Sequence, residues 1–121
     1  MVKTHVLTQL APVVRDPKRS LNFYRSVFGM REYFRDTTTI QVPGPGHHDV
    51  IAVERRPDAA DVAGDIIHFG FRLTRPEDID AAVAAVESAG GTVSAKGEFG
   101  PGLPYAFVLD PDGNEIEIWF E

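Results

Sequence analysis

The chain has 121 residues, 43% of them hydrophobic and 25% charged, with a formal net charge of -6, which describes one soluble domain able to bury a core of its own. Without cysteine it can build no disulfide framework, thiolate metal site or cysteine nucleophile, in keeping with a reducing cytoplasm. The acidic balance argues against nucleic acid, and no apolar run approaches the about eighteen residues of a membrane span. Met1-Val-Lys-Thr-His5 lacks the apolar segment of a signal peptide. The expected partner is a small molecule or a second copy of the chain.

Residues 6–14 read as a strand, with Pro12 pointing to an edge or a bulge. Asp16-Pro17 is a helix start, a capping aspartate followed by proline at the first helical position. Leu21, Tyr24, Val27 and Phe28 repeat at helical spacing, and Gly29 stops the helix. Residues 33–36, 38–42 and 48–54 read as three strands, the last two separated by Pro43-Gly-Pro-Gly46. A polar linker occupies about residues 56–64.

The pattern then starts again. Residues 66–73 form a strand, and Arg75-Pro76-Glu77-Asp78 opens a helix whose apolar stripe is Ile79, Ala82, Val83 and Val86, ended by Gly90-Gly91. Strands follow near 92–95, 105–109 and 114–120. The two helix starts, at Asp16 and Arg75, are offset by 59 residues (75 minus 16), and the same offset carries Gln9 onto His68. Each half is thus a βαβββ unit, module one spanning about 5–55 and module two about 65–121 of a single 1–121 domain. The expected class is α+β: two modules whose sheets carry helices on their outer faces and leave the other faces free to curve around a shared cavity.

Strand parity selects the residues on those open faces. Ile67, Phe69, Phe71 and Leu73 make an apolar face that should pack on the helix; His68, Gly70 and Arg72 point the other way, with Gly70 leaving space beside the imidazole. His48, Val50, Ala52 and Glu54 share one face of their strand. In the closing stretch, Asp110-Pro-Asp-Gly113 is a turn built on proline-set and positive φ values, and the strand after it alternates Ile116, Ile118 and Phe120 with Glu115, Glu117, Trp119 and Glu121. The open-face polar residues are then Gln9, His48, Glu54, His68, Arg72 and Glu117. Histidine, carboxylate and amide oxygen are ligands of intermediate hardness suited to Fe(II), Ni, Co, Zn or Mn. Taken singly, a strand histidine is more often a hydrogen-bonded residue, and an outer-face glutamate is more often solvated.

Three stretches, Val14-Arg-Asp-Pro-Lys-Arg-Ser-Leu-Asn-Phe-Tyr-Arg-Ser-Val-Phe-Gly-Met30, His68-Phe-Gly-Phe-Arg-Leu73 and Asp110-Pro-Asp-Gly-Asn-Glu-Ile-Glu-Ile-Trp119, resemble the vicinal oxygen chelate superfamily of glyoxalases, bleomycin-resistance proteins and extradiol dioxygenases. The resemblance implies paired βαβββ modules with curved mixed sheets around a divalent metal held by the first and last strand of each module. It places metal ligands at Gln9, His68 and Glu117. The fourth glyoxalase ligand falls near Ala52, which cannot bind metal; Glu54, two residues along on the same face, is the candidate substitute and a candidate catalytic carboxylate. His48-Asp-Val-Ile-Ala-Val-Glu54 resembles the dioxygenase segment whose histidine handles a catechol proton, which suits an imidazole titrating near neutrality. As a loop residue next to His47, it reads equally as a solvated histidine. Gln9 in place of a histidine and Phe107 in place of a tyrosine depart from the dioxygenase pattern, while His5 shares parity with Gln9.

Two functional expectations follow from the resemblance. One is a metal-dependent enzyme, a lyase or isomerase or an extradiol-type dioxygenase, that chelates two neighbouring substrate oxygens. Arg72 would then face a substrate anion or a nearby glutamate. The other is a metal-free protein of the bleomycin-resistance type that sequesters an antibiotic or other small molecule. Its cleft would be aromatic and acidic, formed by Tyr105, Phe107, Trp119, Glu115 and Glu117. Either would be a homodimer, as single-chain members of the family usually are.

Overall fold

Asp16 does at the first helix what its sequence context predicts. Its Oδ1 accepts from the backbone N–H groups of Lys18 (3.0 Å) and Arg19 (3.3 Å), closing the first turn of helix α1, Pro17–Phe28. At the other end Gly29 takes φ 66° and donates its N–H to Arg25, a left-handed stop that a Cβ would strain. These features are drawn from a computed structural model that describes residues 3, 9–44, 49–55 and 68–120. The chain divides into two compact units, residues 1–61 and 62–121.

The first unit contains strands β1 (Gln9–Leu10), β2 (Phe34–Arg35), β3 (Thr39–Pro43) and β4 (Val50–Glu54), in sheet order β1-β4-β3-β2. The sheet is mixed: β1 runs parallel to β4, and the other pairs are antiparallel. Pro12, which has no N–H to give, ends β1 early; its carbonyl accepts from Glu54, and Val13 returns as an isolated bridge to Glu54. Ile40 and Val42 of β3 pair with Val53 and Ile51 of β4, and all four are buried on the face that meets α1.

The helix buries a wider stripe than the sequence pattern suggested. Leu21 and Tyr24 are buried as expected, but Phe23 is also fully enclosed, packed edge-on against Tyr24 at 5.2 Å, while Val27 and Phe28 are only half-buried. Full burial of a ring like that of Phe23 is worth roughly 1.5–3 kcal/mol.

The second unit repeats the plan. Strands β5 (Phe69–Arg72), β6 (Thr92–Glu98), β7 (Pro104–Leu109) and β8 (Glu115–Trp119) lie in the order β5-β8-β7-β6, again with one parallel pair, β5 with β8. The helix start at Arg75-Pro76 is a 3-10 turn, Pro76–Asp78, leading into α2, Ile79–Ser88. Arg75 provides no side-chain cap; its guanidinium instead grips Asp78 through two hydrogen bonds, at 2.7 and 3.2 Å. Ile79 and Val86 of α2 are buried, as are Ala106, Val108, Ile116 and Ile118 of the sheet it covers.

Two expectations need correction. Phe69 and Phe71 were expected to pack on the helix, but α2 lies over β6, β7 and β8. On the edge strand β5 the two rings stay half-exposed and contact each other edge-on at 6.3 Å. The strand expected over 92–95 continues to Glu98 through a bulge between Val93 and Ala95, where Ser94 turns its hydroxyl onto the Phe107 carbonyl at 3.0 Å.

The turn before β8 is held by a buried carboxylate. Asp110, 4% exposed, accepts from the N–H groups of Asp112 and Asn114 with Oδ1 (both 2.9 Å) and from the Asn114 side chain with Oδ2 (2.8 Å). Gly113 supplies the positive φ, 87°.

Candidate functional site

The face of the second sheet opposite α2 gathers the candidate polar and aromatic residues. Ile116 and Ile118 point into the core, so Glu115, Glu117 and Trp119 rise on the other side of β8. The register sets Gly70 of β5 and Phe107 of β7 on either side of Glu117, with Arg72 and Tyr105 on either side of Trp119. His68, the residue before β5, falls level with Glu115 in the parallel register.

The imidazole meets both glutamates. His68 Nε2 is 3.5 Å from Glu117 Oε2, and Nδ1 is 3.7 Å from Glu115 Oε1. Both separations are ion-pair distances, longer than a hydrogen bond. Glu117 is the more withdrawn carboxylate, with 19% of its side chain exposed against 33% for Glu115 and 37% for His68.

Aromatic rings form the rest of the face. Phe107 stands edge-on to His68 at 5.2 Å, Tyr105 edge-on to Phe107 at 5.7 Å, and the exposed Phe99 stacks on Tyr105 at 4.5 Å. Gly70 does not leave open space beside the imidazole as expected. The Trp119 indole covers it so closely that a Cβ there would lie 2.5 Å from the ring. Gly97 similarly accommodates Tyr105, whose hydroxyl would be 2.9 Å from a Cβ.

The donor set can be tested against a metal. Among the described residues there is no group of three or more His, Cys, Asp or Glu arranged to hold an ion. The pair His68 and Glu117 does fit. Nitrogen and oxygen ligands lie about 2.0–2.2 Å from a first-row ion, so neighbouring donor atoms sit about 3 Å apart or slightly more. The 3.5 Å between Nε2 and Oε2 is close to that spacing.

The other sequence candidates are distributed as follows. Gln9 lies in β1 opposite Val50, with its side chain outside the described residues; His5 and His48 fall outside them entirely. Glu54 is half-buried in β4 of the first unit, opposite Thr39. Arg72 is exposed. Sequence reasoning gave Glu115 no role at His68, although its parity with Glu117 was visible. It also passed over Phe99, which lies in a Gly-Pro-Gly loop with no periodicity to mark its direction.

The chain belongs to the glyoxalase/bleomycin resistance protein/dioxygenase superfamily, whose family model matches residues 6–118. Among solved structures it is similar to a glyoxalase/bleomycin resistance protein/dioxygenase family enzyme from Burkholderia phytofirmans PsJN (TM-score 0.81, 22% identity, covering 94% of this chain and 97% of that one). A glyoxalase/bleomycin resistance protein from Albidiferax ferrireducens T118 gives 0.76 at 23% identity, covering 95% and 98%. A lactoylglutathione lyase from Agrobacterium tumefaciens gives 0.74 at 14% identity, covering 97% and 94%. At these identities the likeness establishes the α+β fold of two helices and curved mixed sheets. No curated protein matches the sequence. Among the described residues no helix is long and apolar enough to cross a membrane.

Proposed function

We propose that this protein is a metal-dependent small-molecule enzyme of the glyoxalase/dioxygenase type, with His68 and Glu117 as two ligands of a divalent Fe, Ni, Zn, Co or Mn ion. The observation that carries the reading is the 3.5 Å approach of His68 Nε2 to Glu117 Oε2 on the face of the second sheet opposite α2. Family membership supports it, since the resemblance put metal ligands at these two positions. When bound, a divalent metal polarises two neighbouring substrate oxygens and stabilises the negative charge that develops on them.

The chain's own residues have separate tasks. For Nε2 to present its lone pair, the ring proton must sit on Nδ1, and Glu115 provides a carboxylate on that side. Phe107, Tyr105 and Trp119 wall the site and would hold the apolar part of a substrate away from water. Arg72, level with Trp119, suits an anionic group at the rim.

Metal analysis tests the reading. After reconstitution the wild type should hold about one ion per chain, and His68→Ala and Glu117→Ala should each lose it. A protein that takes up no ion overturns the proposal. Catechols under O₂, and methylglyoxal with thiols, then distinguish ring cleavage from lyase or isomerase chemistry. The protein is also expected to run as a homodimer in light scattering, in line with its family.

The run of rings Phe99, Tyr105 and Phe107 beside two glutamates supports a second reading, a metal-free sequestering protein for a cationic aromatic compound. In that case quenching of Trp119 fluorescence by such a compound would be the same with and without metal.

A further inference from the structure

We propose a second binding site, for a small polyanion bearing phosphate or carboxylate groups, in a basic cleft of the first unit. The cleft has a volume of about 360 Å³, and Arg15, Lys18, Arg35 and Arg55 all line it. Four of the chain's twelve lysines and arginines thus share one concavity on a protein of net charge -6.

Backbone pairing brings these cations together from separate segments. Val14 donates to the Glu54 carbonyl at 2.8 Å, setting Arg15 beside the end of β4, where Arg55 follows. Arg55 in turn donates its N–H to Thr38 at 2.7 Å, joining the turn between β2 and β3. Lys18 comes from the first turn of α1.

The lining holds four cations against two carboxylates, and both carboxylates are turned onto the backbone. Asp16 Oδ1 accepts the Lys18 and Arg19 amides, and Asp36 Oδ1 accepts the Thr38 and Thr39 amides at 2.8 and 2.9 Å. The helix end therefore has few amides left to offer a ligand, and recognition falls to the basic side chains. Arg35 is partly spoken for by Glu32, which it grips through two hydrogen bonds at 2.7 and 2.8 Å. Arg15, Lys18, Arg35 and Arg55 together are the binding groups. Guanidinium groups hold phosphate and carboxylate by paired N–H donors, and several cations in one concavity concentrate the field on an anion.

The site involves none of the metal-binding candidates of the second unit, so it stands or falls separately from the proposed enzyme activity. Calorimetric and amide-shift titrations with pyrophosphate and with citrate, in buffer of about 20 mM ionic strength, test it on full-length protein stripped of metal on a chelating resin. The expected result is saturable binding, with amide shifts centred on residues 15, 16, 18, 36–39 and 55. Affinity should fall about tenfold or more in the double variant Arg15→Ala/Arg55→Ala and less in Lys18→Ala. Arg25→Ala, which removes an exposed cation from the far end of α1, should bind as the wild type does. Circular dichroism establishes that the double variant is folded. The tighter of the two probes identifies the preferred group, phosphate or carboxylate. Non-saturable shifts, or equal weakening in Arg25→Ala and in the double variant, overturn the proposal.

Discussion

Glu115 Oε1 stands 3.7 Å from His68 Nδ1, while the other ring nitrogen faces Glu117. A carboxylate hydrogen-bonded to the far nitrogen of a ligating imidazole fixes its tautomer and orientation, and removing such a partner weakens metal binding about 10- to 100-fold; Glu115, at ion-pair distance but beyond a hydrogen bond, should act at the low end of that range. Glu115→Ala should therefore retain the metal with reduced affinity, whereas His68→Ala should lose it. Competition titration against a chelator of known affinity measures the difference. Unchanged affinity in Glu115→Ala would assign that glutamate to solvent.

The covering of Gly70 by Trp119 gives a stability prediction. An alanine methyl there would lie 2.5 Å from Trp119 Cζ3 and 2.9 Å from the backbone oxygen of Glu117. The indole can swing away, but the strand behind it cannot. Gly70→Ala should cost about 1–3 kcal/mol in urea unfolding, the usual range for overpacking. Trp119 is the only tryptophan, so its fluorescence reports the local change directly. An alanine variant with wild-type stability and emission would show that β5 gives way freely.

What the sequence revealed divides along physical lines. The bounds of α1 were legible because Asp16, Pro17 and Gly29 act on their immediate neighbours. The separation of Glu117 and Trp119 from the buried isoleucines was legible because a strand alternates whatever it pairs with. The meeting of His68 with Glu115 was not, because β5 and β8 are distant in sequence and their parallel register leaves no local mark. Phe23 was missed because the buried stripe of α1 is wider than a single line of helical spacing, and it extends to the small polar Ser20. The basic cleft was illegible for a related reason: Arg15, Arg35 and Arg55 converge only through pairings between β2, β3, β4 and the start of α1.

Asp110 should prove the most sensitive polar residue among those described in the second unit. It is buried, and its carboxylate accepts three hydrogen bonds, two of them from backbone amides of the turn. Asp110→Ala is expected to lose about 1.5–3 kcal/mol, the range for hydrogen bonds to a carboxylate. Asp110→Asn keeps an acceptor oxygen and should lose less. Denaturant unfolding ranks the two, and equal losses would place the cost in the packing of the turn instead of its hydrogen bonds.

Asp36 gives a pH dependence with a definite sign. The backbone N–H groups of Thr38 and then Thr39 favour its ionised form and hold its carboxyl below the ordinary value of 3.8. A group with a lowered folded-state pKa binds a proton more readily when unfolded, so its contribution to stability is complete above about 3.8 and fades as pH falls through the folded value. Asp36→Asn retains an oxygen for the same amides but has no proton to take up. Its unfolding free energy should therefore vary less steeply with pH than that of the wild type below about pH 4, and the gap between them should narrow as the solution becomes more acidic. A gap that stays constant from about pH 5 to about pH 2.5 would show that the Asp36 turn persists in the unfolded chain or contributes nothing to folding.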